Sequence, residues 1–88
     1  MRHKVLLEND QVRVLEVRMK HAKSEMHSHP RNVAYILNNS QAKFTFPDEK
    51  SDVVDLKRGQ AMWFDAVSHS VENTGTEDLT AVLIELKK

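Results

Sequence analysis

The chain alternates apolar and polar side chains nearly throughout, and this constrains its fold more than any single residue does. The pattern comes in short runs: "QVRVLEVRM" (11–19), "VAYILN" (33–38), "AKFTF" (42–46), "DVVDL" (52–56), "QAMWF" (60–64), "HSVEN" (69–73) and "LTAVLIEL" (79–86). A period of two sends successive side chains to opposite faces of a strand. Strands recurring every 8 to 12 residues or so, with turn-forming clusters between them, belong to a sandwich or barrel. Here the clusters are "NNS", "PDEK", "KRG" and "NTGTED". No window of about eleven residues keeps a 3.6-residue apolar stripe. The expected class is all-β, with little or no helix.

Several runs are apolar on both faces. Val33, Tyr35 and Leu37 oppose Ala34 and Ile36; Ala61 and Trp63 oppose Met62 and Phe64; Leu79, Ala81 and Leu83 oppose Val82, Ile84 and Leu86. One face can fill the interior, and the other needs a cover. Without a helix to supply it, the expected cover is a second copy, making a homodimer through a sheet face. The length, 88 residues, is that of one domain spanning 1–88, near the lower limit for a single core, which also favours association.

Thirteen basic and thirteen acidic residues cancel, with neither sign concentrated in one half. Nucleic acid and anionic membrane are therefore not expected partners. The chain has no cysteine, which removes disulfides, thiolate metal sites and cysteine nucleophiles together. Any metal must be held by imidazole, carboxylate or amide. The stretch "MRHKVLLENDQVRV" turns polar after three apolar residues, with neither a signal-peptide core nor a span for a bilayer. A cytoplasmic protein is expected.

Five histidines occur: His3, His21, His27, His29 and His69. In "EMHSHPRN" (25–32), His27 and His29 are one strand period apart, so both rings point to the same face, about 7 Å apart along the backbone. Such a pair can converge on one ion, or it can be two polar residues on a solvated face. A third ligand from elsewhere would complete a facial site.

The second half of the chain bears on that choice, through "GQAMWFDAVSHSVEN". Together the two stretches resemble the two motifs of the cupin superfamily. The first motif, a His-x-His pair, a loop, a glutamate and a strand ending in a turn, is matched by "HSHPRNVAYILNN". The second opens on a glycine and passes through a strand and a turn to a histidine and an asparagine. It is matched by Gly59, "QAMWF", "DAVS", His69 and Asn73. The resemblance covers roughly residues 11–86. It is greatest to the small single-domain cytosolic cupins, some described as beta-alanine degradation proteins.

The resemblance implies a double-stranded β-helix, a jelly-roll-like barrel with a metal inside one mouth. His27 and His29 would lie on one inward strand, with His69 on a strand facing it across the barrel. These would bind one divalent ion per subunit, of iron, nickel, zinc, manganese or copper. The glutamate ligand would fall at Val33 or Ala34, which cannot ligate. Aligned through "AYILN", its position is Asn32, reached through a bulge at Pro30 and Arg31, and an amide oxygen there can ligate or act through water. Arg31 is a candidate for pairing a substrate carboxylate, the alternative being a solvated loop arginine. Phe44 and Phe64 are candidates for lining the pocket, against core packing as the first reading of Phe44, Phe46, Met62, Trp63 and Phe64.

The function implied is that of a small metalloenzyme acting on a small polar or carboxylated metabolite, by dioxygenase-type chemistry with iron(II), or by isomerisation or decarboxylation with another ion. The alternative is a non-catalytic cupin that binds or senses a small ligand. A barrel serving only as a dimerisation scaffold would leave the histidine pattern unused. A hydrolytic set of Asp65, His69 and Ser68 or Ser70 is discounted, because no nucleophile elbow or glycine-rich oxyanion loop accompanies it. His21 and His3 read as exposed residues, and Asn73 as a strand-end or turn residue.

Overall fold

The computed structural model describes residues 2–87. Its strands are β1 (Arg2–Glu8), β2 (Val12–Met19), β3 (His27–His29), β4 (Asn32–Ile36), β5 (Ser40–Thr45), β6 (Ser51–Leu56), β7 (Ala61–Phe64), β8 (Val67–Asn73) and β9 (Leu79–Leu86). The seven alternating runs reappear with most ends moved by one or two residues, and β1 and the short β3 add to them. Among the described residues there is no helix, and so none long and apolar enough to cross a membrane.

Two sheets form, ordered β1-β2-β9-β4-β7 and β3-β8-β5-β6. Every strand pairing is antiparallel. After β2 the chain passes back and forth between the sheets: β3 in the smaller, β4 in the larger, β5 and β6 in the smaller, then β7, β8 and β9 in turn. This is the winding of a double-stranded β-helix.

Register explains the interior. On the inner face of the larger sheet, Leu15 stands opposite Leu83, which stands opposite Ala34 and then Met62; Val17, Ala81 and Ile36 form the next row, and Met19 and Leu79 the last. Met19, Ile36, Leu79 and Ala81 meet Ala42, Leu56 and Val71 of the smaller sheet in one buried cluster. Burying each large aliphatic side chain contributes about 1.5–3 kcal/mol. The row beyond Leu15, toward one end of the barrel, is different: Arg13, Glu85, Asn32 and Phe64 stand in line across four strands.

The passage from β3 to β4 departs from expectation. Sequence spacing requires His29 and Asn32 to share a face through a bulge at Pro30 and Arg31. Instead the strand ends at Pro30, which has no N–H for a ladder, and the chain changes sheets there. Asn32 Nδ2 donates to the Pro30 carbonyl at 2.9 Å and closes the corner. His29 and Asn32 therefore both face inward from opposite sheets.

Two turns use the left-handed region. Gly59 has φ 84° and its N–H donates to the Ile36 carbonyl at 2.8 Å. In the "PDEK" turn it is Glu49, not a glycine, that takes φ 68°, while Phe46 N–H donates to the Lys50 carbonyl at 2.9 Å.

The outer face of the larger sheet carries an apolar row of its own. Leu7, Val14, Ile84, Val33 and Trp63 are successive cross-strand partners through all five strands. Leu7 and Trp63, at its ends, are about half exposed.

Candidate metal centre

β3 is three residues long, and its pairing with β8 builds the cluster. His27 is the register partner of His69, and His29 that of Val67. The resemblance places His69 across the barrel from His27; the structure corrects this, because β3 and β8 are hydrogen-bonded neighbours in one sheet. Directly opposed residues of an antiparallel pair share a face with Cβ atoms about 5 Å apart, so adjacency brings the rings together. Their centroids are 4.7 Å (His27 to His29), 4.9 Å (His27 to His69) and 5.4 Å (His29 to His69) apart. One ring nitrogen from each lies within 4.8 Å of the others.

Hydrogen bonds decide which nitrogens are free. His27 Nδ1 lies 2.8 Å from the Glu25 carbonyl oxygen and donates its proton there. That leaves Nε2 as a lone-pair acceptor, and this atom is buried without a hydrogen-bond partner. His29 Nδ1 lies 2.8 Å from Glu85 Oε2 and donates to it, again freeing Nε2. An unpartnered buried acceptor is costly, and a cation is the partner that suits an imidazole lone pair beside two other imidazoles. The residues present therefore fit a divalent metal ion.

The protonation of His69 points the same way. Its pKa is lowered from the ordinary 6.5 to about 4, first by burial and then by the neighbouring His27 and His29. The ring is neutral at physiological pH, the form that ligates.

Glu85, absent from the sequence-based candidates, is 3% exposed. Besides His29 it accepts a bond from Arg13 Nε at 2.9 Å. A signal was present in "LTAVLIEL": the inward row Leu79, Ala81, Leu83 continues to Glu85, and a carboxylate at a core position is seldom there without a partner.

The cluster opens on a cavity of about 70 Å³ whose remaining walls are almost all apolar, including Val17, Met19, Ile36, Met62 and Leu83. Phe44 and Phe64 both line it, with ring centroids 5.9 Å apart and Phe44 5.5 Å from His69. Asn32 is buried and also lines it. Arg31 is exposed and outside the lining; alternation turns it away once Asn32 points inward.

His3 is exposed, as expected, yet it too borders the cavity. Its pKa is lowered, by burial first and then by His29 and His27. His21 is exposed and bonded through Nδ1 to the Gly75 carbonyl at 3.0 Å. The discounted hydrolytic set does not assemble: Asp65 Oδ1 accepts from Trp63 Nε1 at 3.1 Å, and the Ser68 hydroxyl pairs with that of Ser28 at 2.6 Å. Asn73, fully buried, is the strand-end residue expected, with Nδ2 donating to the Met19 and Glu77 carbonyls at 3.0 and 2.9 Å.

No protein-family model matches the sequence, and no curated protein matches it significantly. Solved structures do. A cupin domain from Bordetella pertussis Tohama I is 25% identical with a TM-score of 0.88, the alignment covering 98% of this chain and 92% of that one. An RmlC-like cupin family protein with a double-stranded β-helix fold, from Methanocaldococcus jannaschii, is 11% identical with a TM-score of 0.75, over 96% and 77% of the two chains. The polyketide cyclase RemF from Streptomyces resistomycificus is 16% identical with a TM-score of 0.71, over 98% and 64%. The winding of its two sheets and its likeness to these structures show that the chain has the cupin fold, a double-stranded β-helix.

Proposed function

We propose that this chain is a metal-dependent cupin enzyme of the dioxygenase-like type, holding one divalent ion per subunit through His27, His29 and His69. The observation that carries the proposal is the convergence of three imidazole nitrogens within 4.8 Å at the polar end of an otherwise apolar cavity. Bound there, a divalent ion would supply Lewis acidity and, as iron(II), redox chemistry.

The chain's own residues define the ligand. Three neutral imidazoles contribute no charge, so a bound ion keeps its full 2+ and favours an anionic oxygen such as a carboxylate or enolate. The rest of the ligand meets Phe44, Phe64 and aliphatic walls, which exclude water and accept an apolar body. At roughly 10–15 Å³ per water, a cavity of about 70 Å³ encloses a ligand of only a few non-hydrogen atoms. Among the described residues, the lining offers no polar side chain besides the histidines and Asn32. Proton exchange at the mouth therefore falls to His3, the one lining imidazole outside the cluster.

The working unit proposed is a homodimer formed through the outer face of the larger sheet, where the row from Leu7 to Trp63 needs a cover.

Metal analysis of protein purified without a histidine tag tests the site, with about one ion per chain expected for wild type and little for His27→Ala or His69→Ala. Trace metal indifferent to both substitutions would sink the metal reading. Oxygen uptake by the iron(II)-loaded protein, on addition of short-chain keto acids, diketones and thiols, separates the enzyme from the alternative, a cupin that only binds or senses. Ligand binding without oxygen uptake would favour that alternative.

A further inference from the structure

The inner row of β9 is Leu79, Ala81, Leu83 and Glu85, three apolar residues and then a carboxylate. A sheet facing an apolar cavity gains nothing from a buried charge at its fourth inward position, and desolvation opposes one. Glu85 has a register partner on each side, Arg13 on β2 and Asn32 on β4. Each of its oxygens is engaged: Oε1 by Arg13 Nε at 2.9 Å and Oε2 by His29 Nδ1 at 2.8 Å. The second bond crosses from the larger sheet to the smaller.

Asn32, where the sequence motif would place a glutamate, lies beside Glu85 on the next strand. A carboxylate thus stands one strand over from the position at which the motif would place it. From β9 the carboxylate meets an imidazole that is itself a candidate ligand. We propose that Glu85 is a positioning residue for metal binding: it fixes His29 with the proton on Nδ1, aims Nε2 into the cluster, and sets a carboxylate behind that ring rather than on the ion. Arg13 anchors the carboxylate from outside and keeps its orientation. This rests on the three-histidine metal reading above.

A hydrogen-bonded carboxylate behind a metal-ligating histidine sets its tautomer, and losing one typically lowers metal affinity about 10- to 100-fold. The test uses Co(II) alone as probe, with affinity measured by chelator competition on the full chain, alongside the visible spectrum of the bound ion. Glu85→Gln keeps the shape and removes the charge. The expected result is a loss of affinity on the order of 10-fold or more, with stoichiometry unchanged and an altered Co(II) spectrum. Glu85→Asp, which restores the charge, should recover part of the loss.

Affinity of Glu85→Gln within about twofold of wild type would overturn the proposal. Should the Gln variant fold poorly, nitrogen-15 correlation spectra of the wild-type imidazoles decide: His29 must be the Nδ1-protonated tautomer, and an Nε2-protonated ring overturns the role. Wild-type protein that takes up no Co(II) would refute the metal reading itself, and this role with it. Failure of the Glu85 proposal alone would show as tight Co(II) binding in both wild type and variant.

Discussion

At the scale of single residues, the site trades solvation for readiness. His69 is almost fully buried and its pKa is depressed to about 4, so the folded chain resists a proton that the unfolded chain accepts at about 6.5. Between these values the unfolded state binds more protons, and stability falls as pH falls. Metal-stripped protein should therefore be most stable above about pH 6.5 and lose on the order of 2 kcal/mol as pH drops toward 4. Urea midpoints at pH 7 and pH 4.5 would show this, and His69→Leu should flatten the difference; an unchanged difference would contradict the cause assigned. The histidines were legible in the sequence because strand period and motif order both single them out. Glu85 was legible only as a carboxylate continuing an inward row; its partners depend on β9 lying between β2 and β4, a long-range pairing that no local pattern encodes.

At the scale of elements, strand alternation was readable because each run keeps its faces through four to eight residues. The β3–β4 corner escaped for the opposite reason: β3 is only three residues long, and a change of sheet at Pro30 looks in sequence like a bulge. The β5–β6 hairpin gives a direct test of local strain. Glu49 has φ 68°, a conformation costing an L-residue about 1–2 kcal/mol that glycine adopts freely. Glu49→Gly should stabilise the chain by about 0.5–1 kcal/mol after the entropy glycine adds to the unfolded state, raising Tm by roughly 2–8 °C. A lower Tm would mean that the Glu49 side chain contributes more than its backbone costs.

For the whole molecule, apolar residues on both faces of several strands already implied a missing cover, but only the register shows that they line up. Leu7, Val14, Ile84, Val33 and Trp63 cross all five strands as one band, whereas Arg2, Lys4, Glu16 and Arg18 make a charged patch on β1 and β2. A two-fold contact centred on β9, β4 and β7 would bury the band and leave that patch wet. Sedimentation at tens of micromolar should find a dimer for wild type and a monomer for Trp63→Lys; a monomeric wild type would defeat the proposed assembly. The place of β9 also has a kinetic meaning. It follows the other eight strands in the chain, yet it forms the seam between β2 and β4. Until it docks, the facing edges of β2 and β4 stay open and His29 has no carboxylate to face. Such distant pairings make folding slow, in milliseconds to seconds, and concentrate the risk of wrong edge-to-edge association in the interval before the seam closes.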